Sequence, residues 1–170
     1  PADANETAAC WLEMLKRNKP SGILLSRQNL PVLPANALGV SKGAYAVKPV
    51  ANPKVSIIAT GSEVSVAMKA ATQLEADGIA TQVVSAPCLE WFDEQPAVYR
   101  EQVLPSALTA KVSIEAGLAL GWNKYVGAAG KSVSIEHFGA SADYKTLFTK
   151  FGMTTEAVVA AAQNLLKESK

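Results

Sequence analysis

Val55-Ser56-Ile57-Ile58-Ala59-Thr60-Gly61-Ser62-Glu63-Val64 decides the fold class. The apolar run Val55–Thr60 reads as a strand, and Gly61 makes the turn into a helix spanning Ser62–Asp77. Val64, Ala67, Met68, Ala71 and Leu74 recur at helical spacing and form its inward stripe. Gly78 supplies the left-handed exit, and Ala80–Ala86 follows as the next strand, closed by Pro87. Strand, helix and strand in that order are the unit of a parallel sheet.

The pattern continues downstream. A short helix at Ala97–Leu104 stops before Pro105. Lys111–Glu115 and Ser132–Glu136 are strands, with a loop or short helix at Gly117–Gly127 between them. Helices at Tyr144–Phe151 and Thr154–Lys167 finish the chain, the last with Val158, Ala161, Ala162 and Leu165 inward. The expected fold is α/β, in three layers: a mostly parallel sheet with helices on both faces.

Upstream, Asp3 caps a first helix and Glu6 completes a capping box. Ala8, Trp11, Leu12 and Leu15 share one face of that helix, which ends at Asn18-Lys19-Pro20. Gly22-Ile23-Leu24-Leu25-Ser26 then reads as a strand buried on both faces. From Gln28 to Pro53, Pro31, Pro34, Gly39, Gly43, Pro49 and Pro53 interrupt any periodicity, the composition of an interdomain linker with room for a strand near Ala44–Val47.

The 170 residues are 49% hydrophobic and 18% charged, so the chain can bury a sizeable core. Sixteen Lys and Arg against 15 Asp and Glu give a net charge of +1, which argues against nucleic acid as a partner. No apolar run approaches the ~20 residues of a membrane helix, so no membrane is expected either. The chain opens at Pro1 without a leader pattern and reads as a piece of a longer polypeptide. Cys10 and Cys88 form no CxxC pair, which suits packed, reduced thiols and a cytoplasmic location. The Asn5-Glu6-Thr7 glycosylation match is then idle.

Few residues invite chemistry. Thr60-Gly61-Ser62 could hold an anion at a helix start, but Glu63 would repel a phosphate, so a structural turn is the plainer reading. Arg27 stands at the end of an expected strand, where open α/β sheets place ligands. A bidentate phosphate contact and a solvated or interdomain ion pair both remain open there. Glu115 reads as a cap or interface hydrogen bond. With one His in the chain, His137 has no catalytic partner in sequence and reads as structural. Trp11, Trp91, Trp122 and Tyr125 read as core or interface aromatics.

Several stretches, in order along the whole chain, resemble the transketolase family near its C-terminal end: Pro1-Ala2-Asp3-Ala4-Asn5-Glu6-Thr7, Leu25-Ser26-Arg27-Gln28-Asn29-Leu30, and Ile58-Ala59-Thr60-Gly61-Ser62-Glu63-Val64. Val112-Ser113-Ile114-Glu115-Ala116-Gly117, Gly121-Trp122, Tyr125-Val126-Gly127, Phe138-Gly139-Ala140-Ser141-Ala142 and Phe151-Gly152-Met153-Thr154 continue the resemblance. Asp143 departs from it, since many relatives carry proline there. The Ser-Arg-Gln and Ala-Thr-Gly-Ser-Glu-Val stretches together favour transketolase over its sister, 1-deoxyxylulose-5-phosphate synthase.

The resemblance implies a homodimeric parent enzyme that moves a two-carbon ketol unit between sugar phosphates. Its cofactors would be thiamine diphosphate and a divalent metal, magnesium or calcium. Residues 1–30 would end the pyrimidine-binding domain, 31–52 would be the linker, and 53–170 the C-terminal domain. The family's diphosphate and metal motif, its activating glutamate and its substrate histidines match nothing here. No catalytic, cofactor-binding or metal-binding residue is therefore assigned to the chain, and no cofactor is expected on it alone. Arg27 alone carries over, as a substrate-phosphate ligand. A free-standing, non-catalytic module binding a small anion or a protein partner through the Gly61 turn is the alternative.

Overall fold

The computed structural model describes residues 1–34 and 37–168. Helix α1 spans Ala4–Arg17, and the Asp3 carboxylate accepts the Glu6 N–H at 2.7 Å as its N-cap. Asn18, at φ 48°, ends it. The face turned inward is not the one that the apolar spacing suggests. Trp11, Leu12 and Leu15 are 58%, 53% and 67% exposed, while Glu6 and Cys10 are buried. Polar Glu6 goes inward because the sheet offers its carboxylate donors, described below.

The strand expected at Gly22–Ser26 does not form. The segment pairs with no strand among the described residues, and Leu24 is 88% exposed. An apolar run states a need for burial, but a strand also needs a neighbour about 4.8 Å away to take its N–H and C=O groups. Past this segment, a 3-10 helix (Ala37–Lys42) leads into strand β1 (Tyr45–Lys48), near the position foreseen within the linker stretch. Gly43 between them has φ +83°, and a Cβ there would sit 2.3 Å from both the Cys88 carbonyl oxygen and the Phe92 nitrogen. Only glycine permits that approach.

Strand β2 (Val55–Ala59) leads through α2 (Glu63–Ala76) to β3 (Thr81–Ser85). Helices α3 (Leu89–Asp93) and α4 (Ala97–Val103) precede β4 (Lys111–Ile114). A 3-10 turn and α5 (Asn123–Val126) precede β5 (Lys131–Val133), and α6 (Tyr144–Lys150) and α7 (Thr155–Glu168) follow. The five strands lie in the order β1-β3-β2-β4-β5. All neighbours are parallel except β1, which runs antiparallel to β3 at one edge. The expected three-layer α/β architecture is the one observed, with an antiparallel edge added. Helix α3 is an element the sequence pattern did not reveal.

Alternation along the central strands divides the core. Val55, Ile57 and Ala59 join Val83, Val112 and Ile114 on one face, under Val64, Ala67, Ala71 and Leu74 of α2 and Val158, Ala162 and Leu165 of α7. Ile58 and Val84 point to the other face, under Phe92, Val103, Trp122 and Val126. Every position of β2, β3 and β4 is buried, as a sheet covered on both sides requires. From β2 the chain moves to β3 on one side, and β4 lies on the other. That reversal opens a crevice at the carboxyl ends of the strands.

Candidate functional site

The crevice is a cleft of about 740 Å³. Its floor is Thr60-Gly61-Ser62 after β2, Pro87-Cys88 after β3 and Glu115-Ala116 after β4, and its outer wall is the extended segment 20–26. Gly61, at φ +56°, makes the tight turn into α2. Glu63 in the first turn of α2 is buried: Ala116 N–H donates to its Oε1 at 3.0 Å and Ser62 Oγ to its Oε2 at 2.9 Å. Burial pushes the Glu63 carboxyl above its ordinary value, against the pull of those hydrogen bonds. Glu115 accepts the Trp122 indole N–H at 2.7 Å, a bond within the chain to a residue seven positions on.

Glu63, Glu90 and Glu115 all line the cleft, and none of its described lining residues is Lys, Arg or His. That lining repels anions. The Gly61 turn is therefore a structural turn held by Glu63, and the anion-binding module loses the contact it needed. Among the described residues no three His, Cys, Asp or Glu side chains converge as a metal-holding group. The residues present do not fit a diphosphate–metal centre.

Arg27 lies just past the cleft wall, in an exposed bend whose neighbour Ser26 lines the cleft. It makes no ion pair or hydrogen bond among the described residues, so its guanidinium is uncommitted within this chain. The two thiols are unpaired cysteines on the cleft. Burial lifts the Cys10 thiol to about 11, with the Glu6 charge adding to the effect. Burial also raises Cys88, whose Sγ lies 3.4 Å from Glu90 Oε2. Neither is an activated nucleophile. His137 is exposed, bonded through Nδ1 to its neighbour's carbonyl and packed edge-on against Phe151 at 4.7 Å.

Of the aromatics, Trp122 is buried in the core, whereas the Arg17 guanidinium stacks 4.4 Å over Trp91 and pairs with Glu94 at 2.7 Å. Those contacts tie the end of α1 to α3. Its start is tied by a cluster that sequence reasoning missed. Glu6, 1% exposed, accepts from Tyr45 Oη at 2.9 Å, from Ser85 Oγ at 2.6 Å and from the Ala2 N–H. Burial and the Glu6 charge keep the Tyr45 hydroxyl protonated far above its usual range. The capping-box position was the only signal in sequence; nothing linked it to residues 39 and 79 positions away.

A sequence model of the family described as "Transketolase-like TK C-terminal domain" matches residues 43–154. The chain is 50% identical over 98% of its length to a transketolase of Mycobacterium leprae, of which it covers 25%. Among solved structures, a transketolase from Leishmania mexicana matches 99% of the chain with TM-score 0.92 and 41% identity, over 25% of that chain. A transketolase from Pichia stipitis in complex with sedoheptulose-7-phosphate matches 99% of the chain with TM-score 0.89 and 35% identity, over 25% of that chain. An inactive β4 tetramer of a split-gene transketolase matches 98% of the chain with TM-score 0.79 and 27% identity, over 56% of that chain. The chain thus spans about a quarter of the length of the curated relatives it matches.

Proposed function

This chain belongs to the transketolase C-terminal domain family, and from that premise we propose that it serves as the C-terminal portion of a transketolase. The longer polypeptide transfers a two-carbon ketol unit between ketose and aldose phosphates. The observation that carries this reading is 50% identity across 98% of the chain to a quarter of one transketolase. In this reading, residues 1–30 end the pyrimidine-binding domain, 31–52 link it onward with β1 reaching the sheet edge, and 53–170 form the C-terminal domain. The parent is a cytoplasmic homodimer. Its thiamine diphosphate and divalent metal, which supply the carbanion chemistry when bound, are held by residues outside this chain. The portion alone is non-catalytic, a reading supported by the solved split-gene transketolase described as inactive.

The contribution of this chain to substrate is Arg27. A phosphate dianion needs a fixed, always-charged donor, and a guanidinium offers two parallel N–H groups. Support comes from its exposure at the rim of the cleft wall without an acidic partner. Charge-assisted hydrogen bonds contribute about 1.5–3 kcal/mol, or roughly 10- to 150-fold in affinity. In the longer polypeptide, Arg27→Ala should lower kcat/KM for phosphorylated acceptors by that order, mainly through KM. Arg27→Lys should recover part of the loss, and unphosphorylated acceptors should lose little. Steady-state kinetics on paired acceptors checks this; an equal loss on both classes would make the role of Arg27 structural.

A further inference from the structure

Helix α1 and the segment that leaves β3 run side by side in the same direction. Near the start of α1, Glu6 accepts from Ser85, the last residue of β3, at 2.6 Å. At its end, Arg17 stacks over Trp91 and pairs with Glu94. Glu6, Cys10 and Arg17 stand at i, i+4 and i+11, on one face of the helix. A rise of ~1.5 Å per residue puts Cys10 about 6 Å along the axis from Glu6. On the facing segment, Cys88 lies between Ser85 and Trp91. The two fixed contacts therefore bracket a pair of thiols, Cys10 on the helix and Cys88 opposite.

Their surroundings agree with that register. Both cysteines line one cleft, and both are free. The charge of a Cys88 thiolate raises the Cys10 thiol, so the two groups lie within electrostatic reach of each other. Cys88 Sγ is held only weakly, 3.4 Å from Glu90 Oε2 two residues on, and a rotamer change releases it. Cys10 is buried and Cys88 half-buried, so a reagent in the cleft meets Cys88 first.

We propose that Cys10 and Cys88 form an oxidative modification site, a reversible disulfide that fastens α1 to the start of α3. The oxidant is a small-molecule disulfide. The Cys88 thiolate attacks one of its sulfur atoms, the reagent's S–S bond breaks, and one small thiolate leaves. The Cys10 thiolate then attacks Cys88 Sγ and displaces the second. Two protein thiols are oxidised, one reagent disulfide is reduced to two thiols, and the protein's two protons end on them. Burial keeps both protein thiols protonated, so the exchange is slow at neutral pH and quickens as pH rises. Residues 20–26, the outer wall of the cleft, follow α1 directly, so pinning α1 also limits how far the cleft opens.

Incubating the 170-residue chain with oxidised glutathione at mildly alkaline pH, blocking the remaining thiols with iodoacetamide and mapping peptides by mass spectrometry tests this. The expected product is a single chain lighter by two hydrogen atoms, with Cys10 and Cys88 in one linked peptide pair. Amide exchange in α1 should slow about 10-fold or more, until a reductant restores it. The bond should form faster in native buffer than in urea, because the fold brings the thiols together. Cys10→Ser should stop with glutathione joined to Cys88, and Cys88→Ser should stay unmodified in native buffer. Mapping of the unsubstituted chain carries the test if either variant fails to fold. Glutathione retained on Cys88 of the unsubstituted chain, a bond between two chains, linkage in urea alone, or no reaction overturns the proposal.

Discussion

Ile23-Leu24-Leu25 and Val55-Ser56-Ile57-Ile58-Ala59 look alike as sequence, yet they end in opposite states. Each is a short, nearly continuous apolar run bounded by turn residues. The second becomes β2, central in the sheet, with β3 and β4 hydrogen-bonded on its two sides and all five positions buried. The first lies extended along the rim of the cleft with no strand beside it, and Leu24 and Leu25 are 88% and 60% exposed. Apolarity is a property of the segment, whereas strandedness is a property of a pair. A run buried on both faces needs two neighbours and two covering layers, and within the described residues only the second run has them.

The largest effect that this contrast predicts is in β2. Ile57 is fully buried between the sheet and its covering helices. Ile57→Ala should cost about 2–5 kcal/mol, from lost transfer energy and the cavity left behind. Chemical denaturation reads this directly; a cost below about 1 kcal/mol would mean that β2 is not the centre of the core.

An intermediate effect is expected where the N-terminal segment is fastened. Glu6→Gln keeps the shape but replaces an acceptor-only carboxylate with an amide that cannot accept from all of Ala2, Tyr45 and Ser85 at both atoms. A loss of about 1–3 kcal/mol is expected, the cost of leaving a buried donor unmet. Hydrogen exchange sharpens the comparison: faster exchange confined to α1 would show that the cluster fastens the segment, and uniform exchange that it supports the whole fold.

The smallest effect should come from the exposed run. Leu24→Ser with Leu25→Ser should change the stability of this chain by no more than about 0.5 kcal/mol, since both side chains are mostly exposed. In the longer polypeptide proposed here, the same pair should become destabilising by about 2 kcal/mol or more, because added chain would bury both leucines. Thermal melts of the two lengths make the test. Equal effects in both would show that the run is surface in either setting.

The sheet was legible because its signals are local. Gly61 and Gly78 punctuate α2, and its stripe at Val64, Ala67, Ala71 and Leu74 is the buried one. Pro105 follows the end of α4, and Val158, Ala162 and Leu165 of α7 face inward as their spacing says. The boundaries of β4, α4 and α6 fall within a residue of expectation for the same reason. The candidate site was less legible. The acidity of the cleft comes from Glu63, Glu90 and Glu115, which are 52 positions apart at their extremes and meet only through the crevice. The orientation of α1 was misjudged because Trp11, Leu12 and Leu15 share a face at helical spacing, and spacing cannot say which face meets a partner.

What the sequence determined by itself is the alternation of strands and helices, their turns and caps, the inward stripes of α2 and α7, and the membership of a family. Each depends on residues within a few positions of one another, where backbone geometry repeats and steric preference acts directly. What only the tertiary structure decided is which apolar run has partners and that buried Glu6 joins Tyr45 and Ser85. Those outcomes depend on contacts between segments distant in the chain, and a polar group is satisfied or left in want only after the folded chain has put every other group in place.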